Sequence, residues 1–313
     1  MPSKKKITIN WELSLRCNLD CSFCSQQERR YDQKDEISYD DAIKIINNLP
    51  KNAHISFLWG ETLLFKKIQD IFNYLESTSI TYEITTNGSL LDKYYSSLVE
   101  YNNLSQINIS IDGYWEKHDT SRWKKKLFDT IIHSIKKISW KKNIFVSTVV
   151  TSMSDSNLVQ LYELLNILWV QEQKLIYCMN FTDQDIENSK QKVPTIQVWK
   201  PGAVDISEKE YKKDFLKKFL LLKKVEKQTK VSFEPSWIFS KATTHCKQID
   251  DQFRINEKGQ ITVCEFIKNS FLSLIDNDFS KAVKESRYRK ILNDISKKFP
   301  LEICTTCCKK CIK

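Results

Sequence analysis

No apolar run in this sequence reaches the ~20 residues that a bilayer-spanning helix needs. Met1-Pro2-Ser3-Lys4-Lys5-Lys6 leads into a strand-like pattern rather than the apolar core of a signal peptide. Both absences make the cytoplasm the expected location. Internal repeats and low-complexity segments are also missing. Arginines are few, which counts against a phosphate-binding arginine cluster. Cysteine, by contrast, is plentiful: ten in 313 residues. In a reducing compartment such usage points to metal rather than disulfides. Lysine accounts for most of the formal net charge of +10. It is scattered in pairs and triplets (Lys124 to Lys126, Lys223-Lys224, Lys297-Lys298), a pattern that suits solvated helix faces as well as a nucleic-acid, membrane or acidic-peptide partner. Charge alone does not choose between these. The length suits one large α/β domain, or a main domain with an appendage.

From Ile7 to Leu15 apolar and polar residues alternate as in a strand. Ser38, with Asp41 at its third position, is a good N-cap for a helix running to about Leu49. Further strands are expected at His54 to Leu58, Ile80 to Thr86, Gln106 to Asp112, Ile144 to Val150 and Leu175 to Phe181. Helices fall between them, at about Phe65 to Glu76, Leu91 to Glu100, Trp123 to Ile138 and Asn157 to Trp169. This alternation predicts βαβ units on a parallel sheet. The polar motifs then lie after the strands, at the carboxyl edge where such sheets bind ligands. Six units are fewer than a closed eight-unit barrel requires.

Past Phe181 the pattern changes. Thr182 to Ile206 is polar, carries Pro194, Pro201 and Gly202, and reads as an irregular linker or lid. A lysine-rich helix is expected from Glu208 to about Gln228, its Phe215, Phe219, Leu222 and Val225 stripe serving core packing. Phe253 to Cys264 reads as a hairpin turning at Glu257-Lys258-Gly259. A helix from about Asp278 to Lys297 breaks at Pro300 before a run of four cysteines. The expected division is a main domain over 1–206 and a small Cys-rich α+β domain over 207–313.

The stretch with the most chemistry is Cys17-Asn18-Leu19-Asp20-Cys21-Ser22-Phe23-Cys24, three cysteines at C-x-x-x-C-x-x-C spacing after the first strand. Thiolates are soft ligands suited to zinc or iron–sulfur clusters. Three on one short loop can hold three corners of a cubane and leave the fourth iron open, as a site that does chemistry requires. A zinc knuckle or a structural cysteine cluster is the alternative, although no fourth Cys or His lies close by. The spacing, with an aromatic just before the third cysteine, resembles the signature of the radical S-adenosylmethionine (SAM) enzymes. That resemblance implies a six-unit partial TIM-type barrel, with Cys17, Cys21 and Cys24 binding a 4Fe-4S cluster. It also implies that SAM chelates the open iron and that Phe23 lies against the adenine.

Other pieces of that pattern follow in order, one at each successive strand end. Gly60-Glu61 resembles the core of the family's G-G-E-P motif, whose backbone holds the SAM amino group; here Trp59 replaces the first glycine and Thr62 the proline. Asn87 in Thr86-Asn87-Gly88 closes the third strand. Ser110-Ile111-Asp112-Gly113, with His118-Asp119 and Arg122, resembles the stretch whose serine and arginine reach the SAM carboxylate. A guanidinium is a natural bidentate partner for such a group. His54 and His118 are read as loop or strand-end hydrogen-bonders rather than metal ligands.

Cys246, Cys264, Cys304, Cys307, Cys308 and Cys311 form a second group. Their layout resembles the SPASM and shorter twitch extensions of radical SAM enzymes. It implies at least one auxiliary 4Fe-4S cluster, on Cys246, Cys264, Cys304 and Cys307, with Cys308 and Cys311 as alternatives for the last two places. A zinc ribbon is the competing reading. Cys178, on the sixth strand, is a candidate hydrogen donor to a substrate radical; its bland alternative is a buried apolar residue. Asp112, Glu61, Tyr177 and Asn180 are further candidates to line the site.

The function implied is an oxidoreductase-type maturase: reductive cleavage of SAM, then hydrogen abstraction from a peptide or protein to install a crosslink, an oxidation or an epimerisation. The product would be a ribosomal peptide natural product or a modified protein. A small-molecule or nucleoside substrate is the alternative, and a non-catalytic zinc or iron–sulfur module is the third reading. The expected partners are a precursor peptide, an electron donor such as flavodoxin or ferredoxin, and a separate leader-recognition protein, because the chain begins at its first barrel strand.

Overall fold

The computed structural model describes residues 6–21, 23–24, 26, 36–150, 157–177, 182–197, 208–234, 252–264, 267–299 and 301. Among these, ten strands form one sheet in the order β10-β9-β8-β1-β2-β3-β4-β5-β6-β7. The first six are β1 (Ile7–Trp11), β2 (Ala53–Phe57), β3 (Thr81–Thr86), β4 (Leu104–Ser110), β5 (Ile144–Val150) and β6 (Glu172–Tyr177), and every pair of neighbours among them is parallel. The crossovers are α1 (Tyr39–Asn48), α2 (Ile68–Glu76), α3 (Leu91–Leu98), the short α4 (Glu116–Ser121) with α5 (Leu127–Ile138), and α6 (Leu158–Ile167). The sheet does not close: β10 and β7 are its two edges. This is the parallel α/β sheet that the strand–helix alternation predicts and the open, partial-barrel class that the family resemblance implies.

The strands read the way they do because their two faces differ. Ile9, Trp11, Ile55, Phe57, Tyr82, Ile84, Ile107, Ile109, Ile144 and Val146 join the apolar faces of α1, α2, α3 and α5 in one buried core. Within it Phe72 stacks on Tyr82 at 5.0 Å between centroids, and Phe57 packs against Trp11 at 5.7 Å. Each such side chain contributes about 1.5–3 kcal/mol by leaving water. The alternate residues make a polar opposite face. Ser56 Oγ donates to Glu83 Oε1 (2.7 Å), Ser147 Oγ to Asn108 Oδ1 (2.9 Å) and Asn108 Nδ2 to Thr85 Oγ1 (3.4 Å).

Ser38 caps α1 by accepting from the Asp41 N–H (3.1 Å), as the sequence pattern predicts. Three segments differ from expectation. No helix begins at Trp123: that residue and Lys126 are left-handed (φ 55° and 61°), so α4 ends before them and α5 starts at Leu127. Thr182–Ile206 is not irregular throughout, since α7 (Asp183–Lys192) opens on a Thr182–Asp185 capping box and stops just short of Pro194. The expected final helix is two, α9 (Phe279–Val283), capped by Asp278, and α10 (Ser286–Lys298), capped by Glu285.

Past residue 206, α8 (Glu208–Lys224) and β7 (Lys230–Glu234) continue the β/α pattern, with β7 parallel to β6. Phe215, Phe219 and Leu222 do pack into a core, made with Val150, Leu158, Tyr162, Leu175 and Val231. On the far side, β8 (Gln252–Ile255) lies parallel to β1, while β9 (Gln260–Thr262) and β10 (Ser270–Ser273) follow antiparallel. The β8–β9 turn is the predicted one. Asn256 Oδ1 accepts from the Lys258 and Gln260 N–H groups, and Gly259 takes φ 73°.

Candidate cofactor site

Four loops at the carboxyl edge of the sheet, those after β1, β2, β3 and β4, meet around the cysteines. The loop after β1 is pinned by the loop after β2: the Glu61 N–H donates to Arg16 O at 2.7 Å. Between them Gly60 has φ 56°, and a Cβ there would lie 2.6 Å from both Ser14 O and Arg16 O. Only glycine meets both demands, so the short Gly60-Glu61 motif is needed for the approach of one loop to the other. Cys21 and Cys24 are tied by a local turn, with the Cys24 N–H on Cys21 O (3.1 Å).

Glu61 turns its carboxylate inward. It accepts from Thr86 Oγ1 (2.7 Å), the Asn87 N–H (2.7 Å) and the Leu63 N–H (3.1 Å) and is fully buried, so it braces the end of β3. Burial pushes its pKa up, and the three hydrogen bonds oppose the rise. Asn87, so held, reaches the cysteine loop. Its Nδ2 donates to Asn18 Oδ1 (2.9 Å) and Cys17 Sγ (3.8 Å), and its Oδ1 accepts from the Ser89 N–H (2.9 Å).

After β4, Asp112 and Arg122 form a buried ion pair, Nε to Oδ2 at 2.7 Å, with Asp112 Oδ1 also accepting from the Val149 N–H (3.0 Å). The Arg122 guanidinium lies 5.6 Å from the centre of the Phe23 ring. Asp112 engages Nε, and among the described residues no carboxylate is bonded to the two terminal amino groups. His118, fully buried, accepts the Asp112 N–H on Nδ1 (3.1 Å), which fixes the Nε2–H tautomer. Burial pulls its pKa down to about 3, and Arg122 adds to the depression. Its reading as a loop hydrogen-bonder describes this contact.

Cys21 is buried and Cys17 and Cys24 half-buried. Burial pushes the Cys21 thiol up to about 12 against the pull of Arg122, and burial likewise raises Cys17. Thiols so placed become thiolates only with a cationic group among them. No three Cys, His, Asp or Glu side chains among the described residues converge as a site for one metal ion. By its chemistry the donor set suits an iron–sulfur cluster: three soft ligands, an N–H group aimed at one sulfur, and a guanidinium beside another.

Phe23, Gly60, Glu61, Asn87, Asp112 and Arg122 thus gather round Cys17, Cys21 and Cys24. Ser110, the last residue of β4, is half-buried at the same edge, in register with Ser147 of β5. Cys264 is half-buried just past β9, and β8 separates that strand from β1. Cys178, Asn180, Cys246, Cys304, Cys307, Cys308 and Cys311 lie outside the described residues, as does the side chain of Tyr177. Pattern reading overlooked Asn18 and Ser89, whose only signal was a polar residue beside a cysteine and another after a turn. It also overlooked the buried Glu12–Arg254 ion pair, which joins β1 to β8 under the Trp59 ring.

An open, mostly parallel α/β sheet with a three-thiol loop and a carboxylate-oriented arginine at its carboxyl edge defines a cofactor-binding partial barrel. Residues 11–165 match the family profile of the radical SAM superfamily, so the chain carries a radical SAM domain. Such a domain implies a 4Fe-4S cluster and SAM. Fe-coproporphyrin III synthase of Methanosarcina barkeri is 28% identical over 133 residues, 42% of this chain and 33% of that protein. The sporulation killing factor maturation protein SkfB of Bacillus subtilis is 30% identical over 154 residues, 48% of this chain and 37% of that protein. The chain thus matches little more than a third of these relatives' own lengths. The crystal structure of Streptococcus suis SuiB bound to S-adenosylmethionine shares the fold, with a TM-score of 0.73 at 15% identity over 98% of this chain and 73% of that one. Among the described residues no helix is long and apolar enough to cross a membrane.

Proposed function

We propose that this chain is a radical SAM enzyme that modifies a peptide or protein, with Cys17, Cys21 and Cys24 holding its catalytic cluster. The observation that carries the site reading is Arg122. Asp112 fixes its Nε, Phe23 lies under its guanidinium, and Cys17 and Cys21 are close enough to feel its charge. Its terminal amino groups suit the SAM carboxylate, which Ser110 at the end of β4 assists; Phe23 faces the adenine, and the Gly60-Glu61 backbone holds the amino group. A reduced 4Fe-4S cluster held by Cys17, Cys21 and Cys24 would supply the single electron for reductive cleavage of SAM, and with it the power to abstract a hydrogen atom from a C–H bond. The protein's part is to orient that bond and keep water away from it.

The peptide reading draws support from SkfB, named as a maturation protein, and from SuiB, whose structure is also solved with its precursor peptide SuiA. The SuiB likeness covers 98% of this chain and so extends well past the residues matched by the family profile. In this reading residues 207–313 form a SPASM- or twitch-type unit with an auxiliary cluster on Cys246, Cys264, Cys304 and Cys307, Cys308 and Cys311 being alternatives. Cys178 is a candidate hydrogen donor, a flavodoxin or ferredoxin supplies electrons, and a separate protein or the basic surface holds the leader. A small-molecule substrate is the second reading, favoured by the likeness to Fe-coproporphyrin III synthase.

Anaerobically reconstituted protein should release 5′-deoxyadenosine from SAM under a low-potential reductant, and alanine at Cys17, Cys21 or Cys24 should abolish it. Undiminished release from the triple variant would refute the site. Mass spectrometry of co-expressed short peptides encoded beside this chain should show loss of hydrogens or, for epimerisation, altered deuterium content in D2O. Unmodified peptides together with turnover of a tetrapyrrole or nucleotide would favour the second reading.

A further inference from the structure

We infer that the Asn87 side-chain amide donates a hydrogen bond to the Cys17 sulfur and thereby sets the reduction potential of the cluster that this sulfur holds. The inference deepens the cluster assignment above and rests on it. An asparagine amide can be placed two ways, and its orientation has to come from its neighbours. Here the neighbours agree. Oδ1 accepts from the Ser89 N–H at 2.9 Å, a contact that only the oxygen can make, and Nδ2 donates to Asn18 Oδ1 at 2.9 Å. The orientation of Asn18 follows from that of Asn87: its Oδ1 accepts from Asn87 Nδ2, which leaves its Nδ2 to donate to the Ser89 hydroxyl at 2.9 Å. The Asn87 backbone is anchored by Glu61, through N–H to Oε2 at 2.7 Å. With the amide held on three sides, Nδ2 lies 3.8 Å from Cys17 Sγ.

The three sulfurs are therefore not equivalent. Cys17 receives the Leu19 backbone N–H and the Asn87 amide, whereas Cys21 has the Arg122 guanidinium beside it. Cys17 also faces the buried Glu61 carboxylate, whose charge opposes further negative charge on the sulfur. Reduction adds one electron to the cluster, and that charge spreads onto its thiolates. A donor N–H stabilises the more negative, reduced state more than the oxidised one and so raises the potential. Asn87 offsets part of the opposition from Glu61, the carboxylate that anchors it. Two neighbouring loops, after β2 and after β3, thus carry the buried carboxylate and the dipole that counters it.

The test is a potentiometric titration of the reduced-cluster EPR signal in the full-length, reconstituted protein. Asn87→Asp keeps the shape and the oxygen that accepts from Ser89 but removes the N–H; Asn87→Ala removes the whole amide. A hydrogen bond worth about 0.5–1.5 kcal/mol corresponds to roughly a 2- to 10-fold change in the reduced-to-oxidised ratio at fixed poise. The midpoint should then fall by up to about 59 mV in the alanine variant, and further in the aspartate variant. Iron-loaded variants that titrate with the wild type would overturn the inference. Should neither variant hold iron, wild-type protein labelled with 15N in its asparagine amides decides: pulsed EPR should detect a 15N coupling to the reduced cluster, and its absence overturns the inference. Wild-type protein without iron at this loop would overturn the cluster assignment and the inference together, whereas iron without coupling overturns the inference alone.

Discussion

Substituting Gly60 by alanine puts one methyl group where the cofactor site has no room for it. The added Cβ would sit 2.6 Å from Ser14 O, 2.6 Å from Arg16 O and 3.0 Å from Leu15 C, all of them backbone atoms. No side chain can swing aside, so the β1 loop itself must retreat by several tenths of an ångström. The left-handed φ of 56° costs about 1–2 kcal/mol for a residue with a Cβ. Overpacking adds about 1–3 kcal/mol. The total is about 2–5 kcal/mol, which at roughly 2 °C per kcal/mol for a chain of this size lowers Tm by about 4–10 °C. Because Arg16 adjoins Cys17, the retreat should also open the cysteine loop, so Gly60→Ala should lose iron and 5′-deoxyadenosine formation beyond what its Tm explains. Gly113→Ala is the control: a Cβ there meets nothing closer than the Lys117 Cβ at 3.1 Å, and its φ lies outside the left-handed range. Thermal unfolding read beside iron content decides the matter. A Gly60→Ala protein with wild-type iron and wild-type Tm would refute the reasoning.

Arg122→Gln leaves the Asp112 carboxylate buried without its cation, at a cost of about 3–5 kcal/mol. The Asp112→Asn, Arg122→Gln double variant should recover part of that stability yet keep a raised KM for SAM, so denaturant unfolding and SAM kinetics separate the two roles of the arginine. His118 has its pKa lowered to about 3 in the folded chain against an ordinary histidine value of 6.5, so its contribution is complete above pH 6.5 and is lost as pH falls toward 3. At pH 5 the loss is about 2 kcal/mol, the interval of about 1.5 units at 1.36 kcal/mol per unit. His118→Asn should therefore flatten the fall in stability between pH 7 and 5; an unchanged slope in the variant would locate the acid sensitivity elsewhere.

Strand–helix alternation with a period of two in the strands was enough to announce a parallel α/β sheet. It works because β1 to β6 bury one face against helices and keep the other polar, and that asymmetry is written residue by residue. The Cys17, Cys21 and Cys24 loop was legible for a similar reason, since its three thiols are neighbours along the chain. Segments that differ from expectation owe their form to a backbone choice that composition does not report. Trp123 and Lys126 adopt left-handed conformations that side-chain periodicity cannot reveal, and they split one expected helix into two. Ten residues of a polar stretch became a helix because Thr182 and Asp185 cap each other.

What the amino-acid order determined alone was therefore local: which residues alternate, which caps open a helix, and which thiols share a loop. What folding decided is who meets whom across the edge of the sheet. Strand β8, more than two hundred residues along the chain from β1, lies beside it, and β7 extends the parallel sheet past the point where the composition changes. Glu61 turned out to brace Asn87, and Asn87 to reach Cys17, through contacts spanning 26 and 70 residues. Those contacts depend on the register in which β2 settles against β1 and β3 against β2, and register is set by the packing of the whole buried face rather than by any one motif.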